Sequence, residues 1–382
     1  MEYTAHKSSV IIQPCENYDP GKLKDALGRI FDLSPRWASL ISKDSRILVK
    51  VNNESYSPAG GCNTTNPVFL QTLLKYLLAK NCRPFVGHGQ TNKIIDFDPF
   101  MDSEIAGICQ ELNVPFINFD KHAFVKMPIK KPFRGTYLYT KFLSESDAII
   151  SMPKLKTHVL TGMTGAIKDT YGFLPCGTRL MYHHKFLRSS DFSKLLAAVL
   201  SGVPQHMIIM DAIEAMEGDG PSSGLCRKFG YIFSGEDPVA IDTVSSLVAG
   251  IPKNNIPMLG IASNAGLGCD NMKRISILGL EKCPDTASPP FKAPTVSLFN
   301  KLYRRYAPSI LGKVVQMIKT NYPKIDRDIC NNCEECVNIC PMNCIKSGPK
   351  TPVISRRNCS LCYACYLNCP YNAIYKSRRL KK

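Results

Sequence analysis

The sequence lacks any apolar run approaching the ~18 residues that a transmembrane helix needs, so no membrane span is expected. No apolar stretch follows the first charges of the N-terminus, so no secretory signal is recognised and a cytoplasmic location is predicted. Because that compartment is reducing, disulfides are not expected among the 17 cysteines.

Nucleotide-binding glycine motifs and acidic residues are also scarce. No Gly-x-Gly-x-x-Gly follows a predicted strand and no Walker A lysine motif occurs, which argues against a nicotinamide held by the usual loop.

The sequence has only 31 acidic residues but 48 lysines and arginines, and the net charge of +17 favours acidic partners or anionic ligands. No basic stripe with interleaved aromatics and no recognisable nucleic-acid module is present, so nucleic-acid binding is not favoured.

Cysteine is abundant near the C-terminus, in two runs of identical spacing. Residues 330–341 and 359–370 both fit C-x2-C-x2-C-x3-C-P, and the second run lies 29 residues after the first. This spacing is typical of [4Fe–4S] sites, since thiolate sulfur is the soft ligand that iron prefers. Zinc takes four ligands per site and rarely uses a third cysteine at this interval, so it is the weaker interpretation.

The fourth cysteine of each such run ligates the other cluster. The expected ligands of cluster 1 are therefore Cys330, Cys333, Cys336 and Cys369, and those of cluster 2 are Cys359, Cys362, Cys365 and Cys340. Cys344 aligns with Ala373 of the second run and is interpreted as a buried free cysteine, not a ligand. The stretch 323–376 resembles a bacterial two-cluster ferredoxin, which implies two [4Fe–4S] clusters.

Residues 8–292 alternate between strand-like and helix-like patterns. The expected strands are Val10–Ile12, Ile47–Val51, Phe85–Val86, Phe116–Phe119, Ala148–Ser151, Met207–Met210 and Tyr231–Phe233. The expected helices are Pro20–Phe31, one opening at Asn66-Pro67, Met101–Leu112, Phe192–Leu200 and Pro238–Ala249. This alternation predicts an α/β fold with a mostly parallel sheet and flanking helices, followed by a small α+β two-cluster ferredoxin-like domain.

The predicted division of the chain is an α/β domain over 1–292, a basic amphipathic helical linker over 293–322, and a two-cluster domain with a basic tail over 323–382. The stretch 296–322 is interpreted as helices that dock the cluster domain, with attachment to a membrane surface as the alternative.

Polar motifs follow several predicted strands, where α/β sheets bind ligands. The stretch 151–190 holds six lysines and arginines against one acid, Asp169. Gly162 and Gly165, with Thr161 and Thr164, suggest a loop whose backbone N–H groups approach an oxyanion. Four residues are predicted to bind an anionic substrate and to supply its protons: Lys154, Lys156, His158 and Lys168. A solvated basic loop is the alternative.

Three weaker candidates complete the site predictions. Asp211, Glu214, Glu217 and Asp219 are expected to cluster after a strand, either as metal or pKa-setting groups or as turn residues. A metal at His183-His184 is less favoured because adjacent histidines in a loop share no fixed face. Asp242 suits helix-terminus stabilisation as well as function.

Several motifs together resemble the domain-of-unknown-function 362 family. These are Asp147–His158, Thr164–Lys168, the Gly-Asp-Gly-Pro at 218–221 and Asp237–Asp242. The resemblance spans about residues 8–280, and members of that family often carry a C-terminal two-cluster ferredoxin. It implies a fold and a partner domain but no established reaction.

Taken together, these features predict an iron–sulfur electron-transfer protein that exchanges electrons with an acidic redox protein. It is expected to act as a ferredoxin-coupled reductase on a small anionic substrate. The alternative is a non-enzymatic regulatory or nucleic-acid-binding protein whose clusters are structural.

Overall fold

The computed structural model describes residues 8–52, 62–89, 101, 103–186, 188–221, 224–294, 321–340, 343–356, 359, 364–367 and 369–378. Its α-helices are α1 Pro20–Asp32, α2 Pro35–Leu40, α3 Pro67–Ala79, α4 Glu104–Glu111, α5 Ala166–Asp169, α6 Cys176–Lys185, α7 Ser189–Gly202, α8 Pro238–Ala249, α9 Pro257–Asn264, α10 Glu335–Ile339 and α11 Ala364–Leu367. Most of the predicted linker lies outside these residues.

Twelve of the described strands lie in the first 278 residues, interspersed with these helices. They are β1 Ser8–Pro14, β2 Arg46–Val51, β3 Arg83–His88, β4 Phe116–Asn118, β5 Phe124–Pro128, β6 Thr136–Thr140, β7 Ala148–Met152, β8 Lys154–His158, β9 Gly162–Thr164, β10 Met207–Glu217, β11 Leu225–Gly235 and β12 Ile275–Leu278. Four short strands follow near the C-terminus: β13 Asn321–Ile325, β14 Ile345–Lys346, β15 Val353–Ile354 and β16 Ile374–Arg378.

Ten strands form one central sheet, in the order β12-β1-β11-β10-β7-β2-β3-β4, with β8 paired to β10 and β9 paired to β8. The pairs β2–β3, β2–β7, β3–β4, β7–β10 and β1–β12 are parallel, whereas β11 runs antiparallel to both of its neighbours. The predicted α/β fold with a largely parallel sheet is therefore confirmed.

Alternation along each strand sends side chains into two separate cores. In β2, Ile47, Val49 and Val51 pack with α1, α3 and α4, while Leu48 packs on the opposite face with α7, α8 and α9. We call these the α1/α3 face and the α7/α8 face. Lys50 lies two residues after Leu48, so its side chain projects to the same α7/α8 face, where it is only 3% exposed.

Helix starts follow the capping residues that the sequence supplies. The side chains of Asp19, Asn66 and Asp237 each accept hydrogen bonds from the first turn of α1, α3 and α8, and a proline occupies the first position of each helix. These helices consequently begin at the predicted residues.

Two segments differ from expectation. The motif Lys154–His158 was expected to be a loop but is strand β8, because β10 continues to Glu217 and offers a partner to it. Asp211, Glu214 and Glu217 therefore lie within β10 and not in a loop after it, and a register shift interrupts the pairing with β11 between Ala212 and Glu214.

One cysteine pair also departs from expectation. A disulfide joins Cys62 and Cys226, whose Cα atoms are 5.6 Å apart. The expectation of no disulfides is wrong at this pair, because the fold brings together two cysteines that are 164 positions apart in the chain.

The C-terminal unit, residues 321–378, has an internal two-fold relation. Strand β13 pairs with β16 through Ile325 and Ile374, and β14 pairs with β15 through Ile345 and Ile354. Each member of the first pair lies 29 positions from a member of the second, which is the interval between the cysteine runs. The strand before the first run thus pairs with the strand after the second run, and the inner strands pair with each other.

The C-terminal unit touches the α/β domain at one described side. Lys126 of β5 donates a hydrogen bond to the backbone carbonyl of Asn338, and Ile339 packs against the hydrophobic core of the α7/α8 face. Within the described part of the chain, no helix is both long enough and apolar enough to cross a membrane.

Candidate functional site

A cavity of about 220 Å³ opens at the carboxyl ends of β2 and β3, on the α7/α8 face. Its polar and charged lining comes from Lys50, Asn52, Thr164, Lys168, Asp169, Arg179 and His183. Gly89, Tyr171 and Gly172 complete part of its wall. Three segments therefore meet here: the end of β2, Gly89 after β3 and residues 164–169.

Lys50 and Asp169 form a buried ion pair in the cavity wall. The Lys50 Nζ lies 2.6 Å from Asp169 Oδ1, and both side chains are almost fully shielded from solvent. Burial lowers the pKa of Lys50, and Asp169 opposes this effect. Gly172 makes room for the lysine, since a Cβ at that glycine would lie 2.9 Å from Lys50 Cε. Sequence reasoning missed Lys50, although a single lysine inside an apolar strand was the available signal.

Further cations surround this pair. Lys168 is 8% exposed, and Arg179 lies 3.4 Å from Asp120 and donates through Nε to the carbonyl of Leu174. The basic side chains of Lys50, Lys168 and Arg179 thus line the cavity, whereas Asp169 is the only carboxylate in its described lining. His183 adds an imidazole whose ring meets Tyr171 edge-on. The electrostatic character of the cavity suits an anion.

Asn52 links the cavity to a second buried lysine. Its side-chain oxygen accepts a 2.9 Å hydrogen bond from Lys156 Nζ, and its amide nitrogen lies 3.4 Å from Asp169 Oδ1. Lys156 also donates to the backbone carbonyl of Asn63 at 2.8 Å. Lys156 therefore lies behind the cavity wall and does not line it.

Lys154 belongs to a different network, on the α1/α3 face. Its Nζ lies 2.9 Å from Asp211 Oδ2 and 2.7 Å from the Tyr18 hydroxyl, and that hydroxyl donates to Asp211 Oδ1 at 2.8 Å. The backbone N–H of Asn66 also donates to Asp211. The stretch 151–190 contains one acid of its own, but β10 supplies a second carboxylate, Asp211, from a distant part of the chain.

His158 and the glycine segment serve the local backbone. The Nδ1 of His158 accepts hydrogen bonds from the N–H groups of Leu160 and Thr161. Gly162 and Thr164 belong to β9, which pairs with β8, so the expected oxyanion loop is a strand instead. Of the four predicted residues, only Lys168 lines the cavity.

A carboxylate of the chain itself occupies the start of α5. Asp242 accepts hydrogen bonds from the backbone N–H groups of Ala166 and Ile167 at 2.6 and 3.0 Å, and a Cβ at Gly165 would lie 2.2 Å from it. The glycine that suggested an oxyanion loop therefore makes room for Asp242. Asp242 therefore stabilises a helix start, which was one of its two predicted interpretations. The helix that it stabilises is α5, and not α8, in which Asp242 lies.

The pH dependence of stability should report on this aspartate. Desolvation, opposed by hydrogen bonds from Ile167 and Ala166, raises the pKa of Asp242 from 3.8 to about 7. The folded state then binds this proton more tightly than the unfolded chain. Its contribution to stability is full below the unfolded pKa and is lost as the pH rises through 7. Denaturant unfolding from pH 4 to pH 8 should show wild type losing at least about 1 kcal/mol relative to Asp242→Asn. A pH-independent difference between the two proteins would contradict this assignment.

Of the other acids in this part of the chain, Glu217 has described local partners. Glu217 contacts Arg227 at 3.1 Å and Lys292 at 3.7 Å, near the end of β10. No group of three histidine, cysteine or acidic side chains in the described residues is arranged to hold a metal ion. His183 lines the cavity, but the side chain of His184 lies outside the described residues.

A second, smaller cavity lies in the C-terminal unit. Four cysteines line it, and they are the four expected ligands of cluster 1: Cys330, Cys333, Cys336 and Cys369. Cys369 accepts a hydrogen bond at its sulfur from the N–H of Ala373, and Cys340 accepts the equivalent bond from the N–H of Cys344. The backbone around the two fourth cysteines is therefore alike.

The expected ligands of cluster 2 are only partly described. Cys340, Cys359 and Cys365 are buried in one hydrophobic cluster, while Cys362 lies outside the described residues. Cys344 is buried, as predicted, and its sulfur lies 3.4 Å from that of Cys340. It is an additional thiol next to this set, at the position where the other half of the unit has Ala373.

Comparison with known proteins gives a family match, a relative of low sequence identity and distant similarity to solved structures. The family model described as "Domain of unknown function (DUF362)" matches residues 47–246, just over half of the chain. The Thylakoid-associated protein sll1697 of Synechocystis sp. is 21% identical over 271 residues, which cover 68% of this chain and 80% of that protein. The lactate racemase apoprotein of Thermoanaerobacterium thermosaccharolyticum aligns at a TM-score of 0.36 and 13% identity, over 61% of this chain and 55% of that chain.

Proposed function

The chain belongs to the DUF362 family, and we propose that it is an iron–sulfur electron-transfer protein with two [4Fe–4S] clusters in its C-terminal unit. We further propose that its α/β domain binds a small anionic substrate, which the clusters reduce or oxidise. The first set of residues would hold cluster 1 through Cys330, Cys333, Cys336 and Cys369. The second set would hold cluster 2 through Cys359, Cys362, Cys365 and Cys340.

The observation that carries the cluster proposal is the crossed pairing of the two halves. The chain around each cysteine run supplies one strand to the pair β13–β16 and one strand to the pair β14–β15. This pairing brings the fourth cysteine of one run toward the first three cysteines of the other run. In agreement with this crossing, Cys369 of the second run lines one cavity together with Cys330, Cys333 and Cys336 of the first run. Four cysteine thiolates are the donor set that a cubane cluster takes, and the four residues that line this cavity would supply it.

The clusters would supply one-electron transfer, and the chain would supply their surroundings. Backbone N–H groups of Cys344 and Ala373 donate to the sulfurs of Cys340 and Cys369. Such hydrogen bonds favour the more negative, reduced form of a cluster. The burial of Cys336, Cys340, Cys359 and Cys365 would limit access of water to the iron.

The substrate proposal is supported by the cavity at the end of β2. Its described lining carries three cations and one carboxylate, in the place where open α/β sheets bind ligands. Lys156 would support the cavity from behind its wall, whereas Lys154 would stabilise the separate network around Asp211, since each lysine is buried with its own acceptors. The net charge of +17 would favour an acidic redox protein as the electron partner.

Metal and sulfide analysis tests the cluster proposal directly. Protein purified without oxygen should contain about eight iron atoms and about eight acid-labile sulfides per chain, because two cubane clusters require them. The reduced protein should give the electron paramagnetic resonance signal of two interacting clusters.

Zinc in place of iron in the anaerobically purified protein would contradict the proposal. The surface variant Lys194→Met, purified in the same way, is the control. Because Lys194 is exposed in the α/β domain, its replacement should leave the iron content unchanged.

A further inference from the structure

We propose that the cavity at the end of β2 is a proton-coupled anion site, in which a small oxyanion binds beside Lys168 and Arg179 while Lys50 takes up a proton. The ligand class is a carboxylate, sulfate or phosphate group. This inference rests on the proposed substrate site and assigns its proton-handling residue. It gives Lys50 the role that the sequence had suggested for Lys154, Lys156, His158 and Lys168.

Geometry places Lys50 where a bound anion would act on it. Lys50 is the second-last residue of β2 and lines the cavity. It is held between Asp169 and the ring of Phe173, whose centroid is 5.4 Å from its Nζ. Its only described carboxylate partner is Asp169, which also lies 3.4 Å from the amide nitrogen of Asn52. One carboxylate therefore serves two donors.

The charged and titratable groups facing Lys50 come from four segments. The turn before β10 contributes His206, which is buried and interacts electrostatically with both Lys50 and Asp169. Helix α5 contributes Lys168 and Asp169, the turn after it contributes Tyr171, and α6 contributes Cys176, Arg179 and His183. Burial is the main cause of the lowered Lys50 pKa; Asp169 opposes it, and Arg179 and Lys168 add to it. Burial also raises the pKa of Tyr171 well above its usual value, so the phenol stays neutral.

An anion in this cavity would change the balance at Lys50. Without it, a proton on Lys50 adds a charge beside two other cations in a region of low dielectric constant. With it, the added negative charge favours the ammonium form. By linkage, a ligand that raises the proton affinity of Lys50 must itself bind more tightly when the proton is present.

Sulfate is a suitable probe because it does not change its own protonation between pH 7.5 and pH 10. Titration calorimetry in two buffers of different ionisation enthalpy should reveal uptake of a fraction of a proton per sulfate bound. The affinity should fall as the pH rises, by up to about tenfold per pH unit.

Variants assign the proton to Lys50. The double variant Lys50→Met with Asp169→Asn removes both members of the buried pair, so no unpaired charge remains. It should retain sulfate binding through Lys168 and Arg179 but lose proton uptake. Lys194→Met removes an exposed lysine outside the cavity and should keep both properties. As a measurement that does not depend on folding of a variant, the ¹³Cε resonance of Lys50 in lysine-labelled wild type should titrate at higher pH once sulfate is added.

Each result separates the inference from the function on which it rests. Sulfate binding without proton uptake, or an unshifted Lys50 titration, overturns the role of Lys50 and leaves the substrate site standing. Failure of sulfate, acetate and phosphate all to bind overturns both the inference and the anionic-substrate part of the proposed function. The iron content of the same preparations tests the cluster part separately.

Discussion

Replacing Asp211 by alanine should lower the free energy of unfolding by about 3–5 kcal/mol, because it leaves a buried ammonium group without its counter-charge. Asp211 is fully buried and accepts from Lys154, from the Tyr18 hydroxyl and from the backbone N–H of Asn66. Lys154 is 1% exposed, so water cannot replace the lost partner. Denaturant unfolding monitored by circular dichroism measures the change.

Two comparisons calibrate this loss. Asp191→Ala removes an exposed acid 4.0 Å from Lys194, and an ion pair of that kind contributes about 0–1 kcal/mol. The double variant Asp211→Ala with Lys154→Met should recover much of the stability, since no buried charge is left unpaired. A loss for Asp211→Ala no larger than for Asp191→Ala would contradict the structural role assigned to this network.

The elements that sequence could locate are those with a strong period and a chemical boundary. Helix α8 begins and ends at the predicted residues because Asp237 caps it, Pro238 opens it and Gly250, in the left-handed conformation, closes it. The apolar run Ile47–Val51 identified β2 to within one residue. Local rules suffice where a segment of about a dozen residues contains its own start and stop signals.

Pairing across the chain could not be read in the same way. Lys154 and Asp211 are 57 positions apart, and nothing in the pattern of either segment indicates that β8 and β10 are neighbours. The basic stretch therefore looked unneutralised, and its lysines looked like ligands. Lys50 was missed for the same reason, because its significance depends on helices α5 and α6 covering the end of β2. Burial and partner choice arise from tertiary packing, and only the residue types are visible locally.

The C-terminal unit shows the opposite case, since a repeat fixes a relation between distant residues. The 29-residue interval that aligned the cysteines also relates Ile325 to Ile354 and Ile345 to Ile374. The backbone bonds follow the same interval: Asp326 donates to Ala373 and Ser355 donates to Cys344, both at 2.7 Å. The repeat makes this relation between distant residues visible in the sequence, although single-strand patterns there are too short to predict pairing.

Crossed ligation leads to the second large effect, which rests on the proposed clusters. Cys336→Ala and Cys369→Ala should damage the same cluster, although the two residues belong to different runs, because both line one cavity. Cys365→Ala should damage the other cluster, although Cys365 is only four positions from Cys369. Each variant should fall from about eight to about four iron atoms per chain and should lose the signal of interacting clusters.

The electron paramagnetic resonance spectrum of the remaining cluster assigns each variant to a group. Cys336→Ala and Cys369→Ala should share one spectrum, and Cys365→Ala and Cys340→Ala should share another. Cys344→Ala is the matched control, since this buried thiol lies 3.4 Å from Cys340 but is not an expected ligand, and both clusters should persist. If Cys369→Ala instead matched Cys365→Ala, each run would bind its own cluster. The crossed strand pairing of the unit would then not extend to its ligands.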